Sequence, residues 1–324
     1  MPASLTAVLR SPALAGARAR AREWSQDHVD RPVTSALKVG AQMRRGGTDV
    51  LYLADSTMIH ISPSDSDRRR LGEMFVDETG YSTAQYYGPA YPPAVFTELL
   101  RLIEPFPRPK AILLSMPIRP STHLHATEHP VFSYRHARRS LARARRTSSL
   151  ATRVLRPKPA KEDYDRFYAV VRSSRWGGER TIGAFREELR GIVPATASAD
   201  ELRVMWDYFH GEFSDDTPGL DDWVRLGEQA RALGVPLIAY RAHMPYEYGT
   251  KLFGPEFVAH VEHNFAIIEQ ALKNGVGDGG VFLDVPPPPD SHFIQPEDGT
   301  EHWNEEGRRA RVQILKDALA DVLR

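Results

Sequence analysis

Cysteine is absent from all 324 residues. Its absence excludes disulfides, a thiolate metal site and a cysteine nucleophile, and says nothing of compartment, because a chain of this length needs no staples. Net charge is absent too. Lysine plus arginine equals aspartate plus glutamate at 42 each, so no global field draws the chain to nucleic acid or to a membrane surface. No stretch approaches the ~18 consecutive apolar residues of a membrane span. The first residues, MPASLTAVLRSPALAGARARAREW, contain no acid before Glu23 and no continuous apolar core. Without that core they do not read as a secretory signal. Their arginines and lack of acid weakly resemble a transit peptide. The favoured reading is an alanine- and arginine-rich amphipathic helix, with residues 1–47 as a helical extension. The expected location is cytoplasmic. What is present is a composition of 41% hydrophobic and 26% charged residues, that of a globular protein able to bury a core.

Four short runs read as strands: DVLYLA at 49–54, AILLSMPI from 111, VPLIAYRA from 235 and GVFLDV from 280. STAQYYG, from 82, is a short alternating stretch. Helical patterns separate the runs, at Leu71, Met74, Phe75 and Glu78, then in PPAVFTELLRLIE with proline at its start, and in EFVAHVEHNFAIIEQALKNG with glycine at its end. The chain closes on EEGRRARVQILKDALADVLR. Strands alternating with helices predict a three-layer α/β/α domain over 48–324 around a parallel sheet. Residues 133–230, polar and helical in pattern, predict an insertion into it. GVGDGG, 275–280, leads into a strand rather than from a strand into a helix, so it reads as a turn and not a phosphate loop.

In open α/β sheets ligands gather at the carboxyl ends of the strands. There VLYLA runs directly into Asp55-Ser56-Thr57, AILL into Ser115 through Arg119, and LIAY into His243. A serine becomes a nucleophile when a base takes its proton and a third group orients the base. The candidate base is His302, in PEDGTEHWNEEGRR just before the last helix, with Asp298 and Glu301 beside it.

These blocks resemble the SGNH (GDSL-like) hydrolases. LADSTM is similar to that family's strand ending in Gly-Asp-Ser, with Ala54 in place of glycine. Asp298, His302, Asn304 and Gly307 match its last block. The resemblance covers residues 48–120 and 232–324. It implies a flavodoxin-like fold, Ser56 as nucleophile, His302 as base, Asp298 as orienting carboxylate, and an oxyanion hole from the backbone N–H groups of Ser56 and Gly88. Two positions depart from the pattern. The asparagine of the third block is missing from SMPIRPS, where Arg119 stands nearby, and three residues instead of two separate Asp298 from His302. Asp290 and Glu301 are therefore further candidates to orient the base. Asp55, Arg119, His123 and Tyr246 are candidate substrate-binding residues.

The implied activity is hydrolysis of a hydrophilic acyl ester, such as an O-acylated sugar or glycan, with no cofactor. The alternatives are acyl transfer to a carbohydrate on the same triad, and a non-catalytic glycan- or anion-binding protein on the same fold. The last would use the stretch from Arg135 to Lys161, which holds ten lysines and arginines and no acid. It also holds no aromatic residue, which argues against a nucleic-acid partner, since stacking residues are expected among the charges. His123, His125 and His129 cluster beside Glu128, but no further ligand stands at a diagnostic distance, and no metal is expected. The tryptophan in RWGGERT, at 176, reads as core before lid. Tyr248 joins Tyr246 as a residue following a strand end. Oligomeric state is not encoded in any pattern found.

Overall fold

The computed structural model describes residues 31–88, 91–121, 213–217, 219–296 and 299–323. Five parallel strands form one sheet: β1 (Val50–Ala54), β2 (Thr83–Tyr87), β3 (Ala111–Met116), β4 (Leu237–Arg241) and β5 (Gly280–Leu283), in the order β2-β1-β3-β4-β5. This is the doubly wound, flavodoxin-like order. Every residue of β1 and of β3 is buried, as expected of parallel strands covered on both faces. STAQYYG supplies β2 on one edge, where only Ala84 and Tyr86 are buried. The alternating stretch is thus a strand with one dry face.

Seven helices join and cover the sheet among the described residues: α1 (Arg31–Arg45), α2 (Leu71–Thr79), α3 (Pro93–Ile103), α4 (Leu220–Leu233), α5 (Tyr246–Phe253), α6 (Glu256–Val276) and α7 (Glu305–Val322). The period-two alternation of the strands divides the core in two. Leu51, Leu53, Ile112, Leu114, Leu237 and Ala239 point to one face and pack with residues of α1, α3, α4 and α6. Val50, Tyr52, Ala54, Leu113, Ile238 and Tyr240 point to the other and pack with α2 and α7. On α6 the buried residues Phe257, Val261, Phe265, Ile268 and Leu272 recur every three or four positions, the spacing of one helical face. α4 and α6 touch backbone to backbone. A Cβ on Gly227 would lie 2.6 Å from Val276 N, and one on Gly275 would lie 2.0 Å from Val224 O.

The expected insertion over 133–230 lies outside the described residues except for 213–217 and the start of α4. The basic stretch, the histidine cluster with His123, the RWGGERT tryptophan and Asp298 all lie outside them as well. GVGDGG ends α6 and turns through Gly277–Gly279 into β5. No helix among the described residues is long and apolar enough to cross a membrane.

From β1 the chain passes to β2 on one side, then to β3 on the other. The sheet therefore has its switch point between β1 and β3, where a crevice opens beyond the carboxyl ends. Ser56 comes just after β1 and Arg119 just after β3, so both sit at that crevice.

Candidate active site

Ser56 opens a single 3-10 turn, Ser56–Met58, directly after β1. Asp55 caps this turn: its Oδ1 accepts from the Thr57 N–H at 3.0 Å, and the Ile59 N–H closes the turn on Ser56 O at 2.8 Å. His302 arrives from the far end of the chain. Its backbone lies in a short antiparallel bridge between Phe293 and Trp303, where Ile294 N–H donates to His302 O and Asn304 N–H to His292 O, both at 2.9 Å. Asn304 then caps α7 by accepting from Gly307 N–H at 3.0 Å. Glycine is required at 307 because a Cβ there would lie 2.3 Å from His292 O. Asn304 and Gly307 thus fix the position of the histidine loop.

These supports bring His302 Nε2 to 3.1 Å from Ser56 Oγ. Burial, reinforced by the charges of Arg119 and of a protonated His60, lowers the His302 pKa to about 3 against the opposing pull of Glu301. The ring is therefore neutral at neutral pH, the form that can accept a proton. The exposed His60 stacks on it at 3.8 Å between ring centroids.

Arg119 reaches the same hydroxyl, its Nη2 donating to Ser56 Oγ at 3.3 Å. The same Nη2 donates to Glu301 Oε1 in a short ion pair. Arg119 begins the Arg119–Ser121 turn, which is pinned to α4 by the Trp223 indole donating to Ser121 Oγ at 2.7 Å. Burial would raise the Glu301 pKa, but the charge and hydrogen bonds of Arg119, with help from His302, outweigh it and hold the carboxyl low.

Gly88 follows β2, and the register pairs Ala54 with Tyr87, so Gly88 stands beside the chain segment that leads into Ser56. A Cβ on Gly88 would lie 2.2 Å from the Tyr91 ring, which packs back against Tyr86 with 5.3 Å between centroids.

The other candidates have different surroundings. Asp55 is completely buried, its Oδ1 turned to the Thr57 N–H. Asp290 accepts from the Glu247 and Tyr248 N–H groups at 3.2 and 2.6 Å, at the start of α5 and not beside His302. Tyr246 donates its hydroxyl to Glu262 at 2.5 Å, and Glu262 also pairs with Arg241. His243 is buried between the edges of Tyr246 and Phe265. Sequence reasoning did not single out His60, whose only local signal is its place four residues after Ser56. It also did not pair Arg119 with Glu301.

Burial, then repulsion from Glu301, pushes the Asp55 pKa up to about 7, against the lowering effects of Arg119 and Thr57. With Glu301 ionised against Arg119, the proton that the two carboxyls retain below about pH 7 belongs on Asp55. The folded pKa lies above the unfolded value of 3.8. The stability contributed by this group is thus complete below pH ~4 and is lost as pH rises through about 7. Asp55→Asn keeps the cap to Thr57 and removes the titration. Its melting temperature relative to wild type should rise between pH 4.5 and pH 8.5; an unchanged difference would contradict the assignment.

No family model and no curated protein matches the chain. Among solved structures it is similar to an acetyl xylan esterase from the rumen bacterium Butyrivibrio proteoclasticus, at 10% identity and a TM-score of 0.39 over 86% of this chain and 64% of that one. The chain thus spans less than two thirds of that structure's length.

Proposed function

We propose that this chain is an SGNH-type serine ester hydrolase acting on a hydrophilic acyl ester, such as an O-acylated sugar or glycan. One observation carries the reading: at the switch point of a parallel sheet, Ser56 Oγ stands 3.1 Å from the Nε2 of a histidine held neutral by burial. Ser56 attacks the ester carbonyl while its proton passes to His302. The tetrahedral oxyanion is met by the backbone N–H groups of Ser56 and Gly88. Collapse breaks the bond to the alkoxide, which takes the proton from His302 and leaves an acyl-enzyme. Water, deprotonated by His302, then attacks the acyl carbon; the bond from that carbon to Ser56 Oγ breaks, Oγ takes the proton back from His302, and the acid is released. A sugar hydroxyl in place of that water turns the same cycle into acyl transfer.

Asp298 orients His302 through Nδ1–H in this reading. Support comes from the engagements of the other two candidates, Asp290 with the α5 amides and Glu301 with Arg119. The polar groups around Ser56, namely His60, Arg119 and Glu301, favour a hydrophilic ester over a long apolar acyl chain. No step calls for a cofactor.

The test is covalent labelling with a fluorophosphonate, read by intact mass. Wild type should take one adduct, and Ser56→Ala and His302→Ala none. A folded wild type that takes no adduct would overturn the proposal.

A further inference from the structure

An ester oxyanion in a buried site needs donors aimed at the place where charge develops. Two backbone N–H groups form a minimal hole, and a side-chain amide is a common third donor. This chain has only three asparagines, 264, 274 and 304. Asn264 accepts from Phe213 N–H at 3.0 Å, Asn274 accepts from Gln270 on the exposed side of α6, and Asn304 caps α7. None of them stands at Ser56.

We infer that Arg119 is the third oxyanion donor of the proposed esterase site, with Glu301 as the residue that positions it. The inference rests on the function proposed above and goes beyond it in assigning the guanidinium a catalytic contact. The terminal Nη2 carries two hydrogens. One is engaged by Glu301 and the other points at Ser56 Oγ, 3.3 Å away. Once Oγ has bonded to the acyl carbon it becomes an ester oxygen, a weaker acceptor. The new oxyanion hangs from that same carbon, one tetrahedral angle from Oγ. The N–H that faced the hydroxyl then has a stronger acceptor next to it and needs only a small swing to reach it.

Three features distinguish this role from that of a docking group for an anionic substrate. The Arg119 and Glu301 side chains are only 11% and 5% exposed, so the ion pair is set into the wall and not offered to solvent. Its charge is already balanced by Glu301, which weakens attraction for a charged ground state. And its donor addresses the nucleophile, where charge appears only during reaction, so its effect belongs in kcat rather than in KM. Glu301 also adjoins His302 in the chain and favours its protonated form. The pair therefore places a positive group at the oxyanion and a negative one near the imidazolium, which form together.

The experiment is steady-state hydrolysis of 4-nitrophenyl acetate and of a carboxylate-bearing phenyl ester. Wild type is compared with Arg119→Ala, Arg119→Lys and the double variant Arg119→Ala/Glu301→Gln, which leaves no buried carboxylate without its cation. Loss of the donor should lower kcat about 10²- to 10³-fold on both esters with KM within a few fold, and lysine should recover part of it. Glu301→Gln alone should lower kcat with little change in KM. A folded double variant with kcat near wild type would overturn the inference, as would a loss confined to KM for the charged ester. In either case fluorophosphonate labelling of wild type would leave the esterase reading standing. A wild type that takes no label and cleaves neither ester removes both.

Discussion

Replacing His302 with alanine should reduce kcat/KM for an acetyl ester by about 10⁴- to 10⁶-fold, an effect matched at the site only by loss of Ser56 itself. Ser56 is a hydroxyl with no other base at this distance among the described residues, and its proton has to leave as the carbon–oxygen bond forms. The histidine backbone is fixed by the bridge to Phe293 and by the Asn304 cap, neither of which depends on the imidazole, so the variant should fold. The pH profile gives an independent check. The active form is neutral imidazole, and burial holds its pKa below the ordinary histidine value of about 6.5. Protonation is therefore postponed as pH falls, and the acid limb of kcat/KM should have its midpoint below 6.5. A midpoint at 7 or above, or a His302→Ala enzyme within tenfold of wild type, would exclude His302 as the base.

The sheet and the two ends of the proposed proton transfer were legible for the same reason. A strand buried on both faces leaves a run such as VLYLA, and the residues immediately after such a run are placed at the crevice. For β1 those residues are Asp55 and Ser56, and the last helix pattern fixes His302 equally well from the other side. The Arg119–Glu301 pair was not legible. Its members are 182 residues apart, and nothing local to SMPIRPS or GTEHW says that two turns from different strand ends converge. Asp55 and Tyr246 show the opposite difficulty. Both stand just beyond strand ends and both were expected to face substrate, but chain position does not determine side-chain direction. Asp55 turns inward to cap its own turn, and Tyr246 turns toward Glu262. β2 was the faintest strand because it buries only every second residue, which leaves an alternating stretch and no apolar run.

A second large effect is expected away from the reacting atoms, at Arg308. Its side chain is fully buried, and its Nη1 donates to the nearly buried Asp65 at 2.7 Å. Nη2 donates to Asp67 O at 2.9 Å, and Asp65 also accepts from Glu305 N–H at 3.0 Å. This cluster ties SPSDSDRRR, the loop beyond the Ser56 turn, to the first turn of the helix after His302. The two aspartates of this polar loop are thus explained by what they hold. Removing one partner of a buried ion pair strands the other charge, so Arg308→Ala should destabilise the fold by about 3–5 kcal/mol. Replacing both partners, as in Arg308→Met/Asp65→Leu, should recover much of that loss, because the dominant cost lies in a buried charge left without its counterion. Denaturant unfolding of the three proteins measures both statements. Arg308→Ala unfolding at the wild-type midpoint would show that the clamp contributes nothing. The catalytic consequence is geometric: the clamp fixes the two loops that carry Ser56 and His302, and a shift of about 1 Å between reacting groups can cost 10²-fold in rate. The folded fraction of Arg308→Ala should therefore show a lower kcat with the acid limb of its pH profile unmoved, since the histidine keeps its surroundings and loses only its alignment.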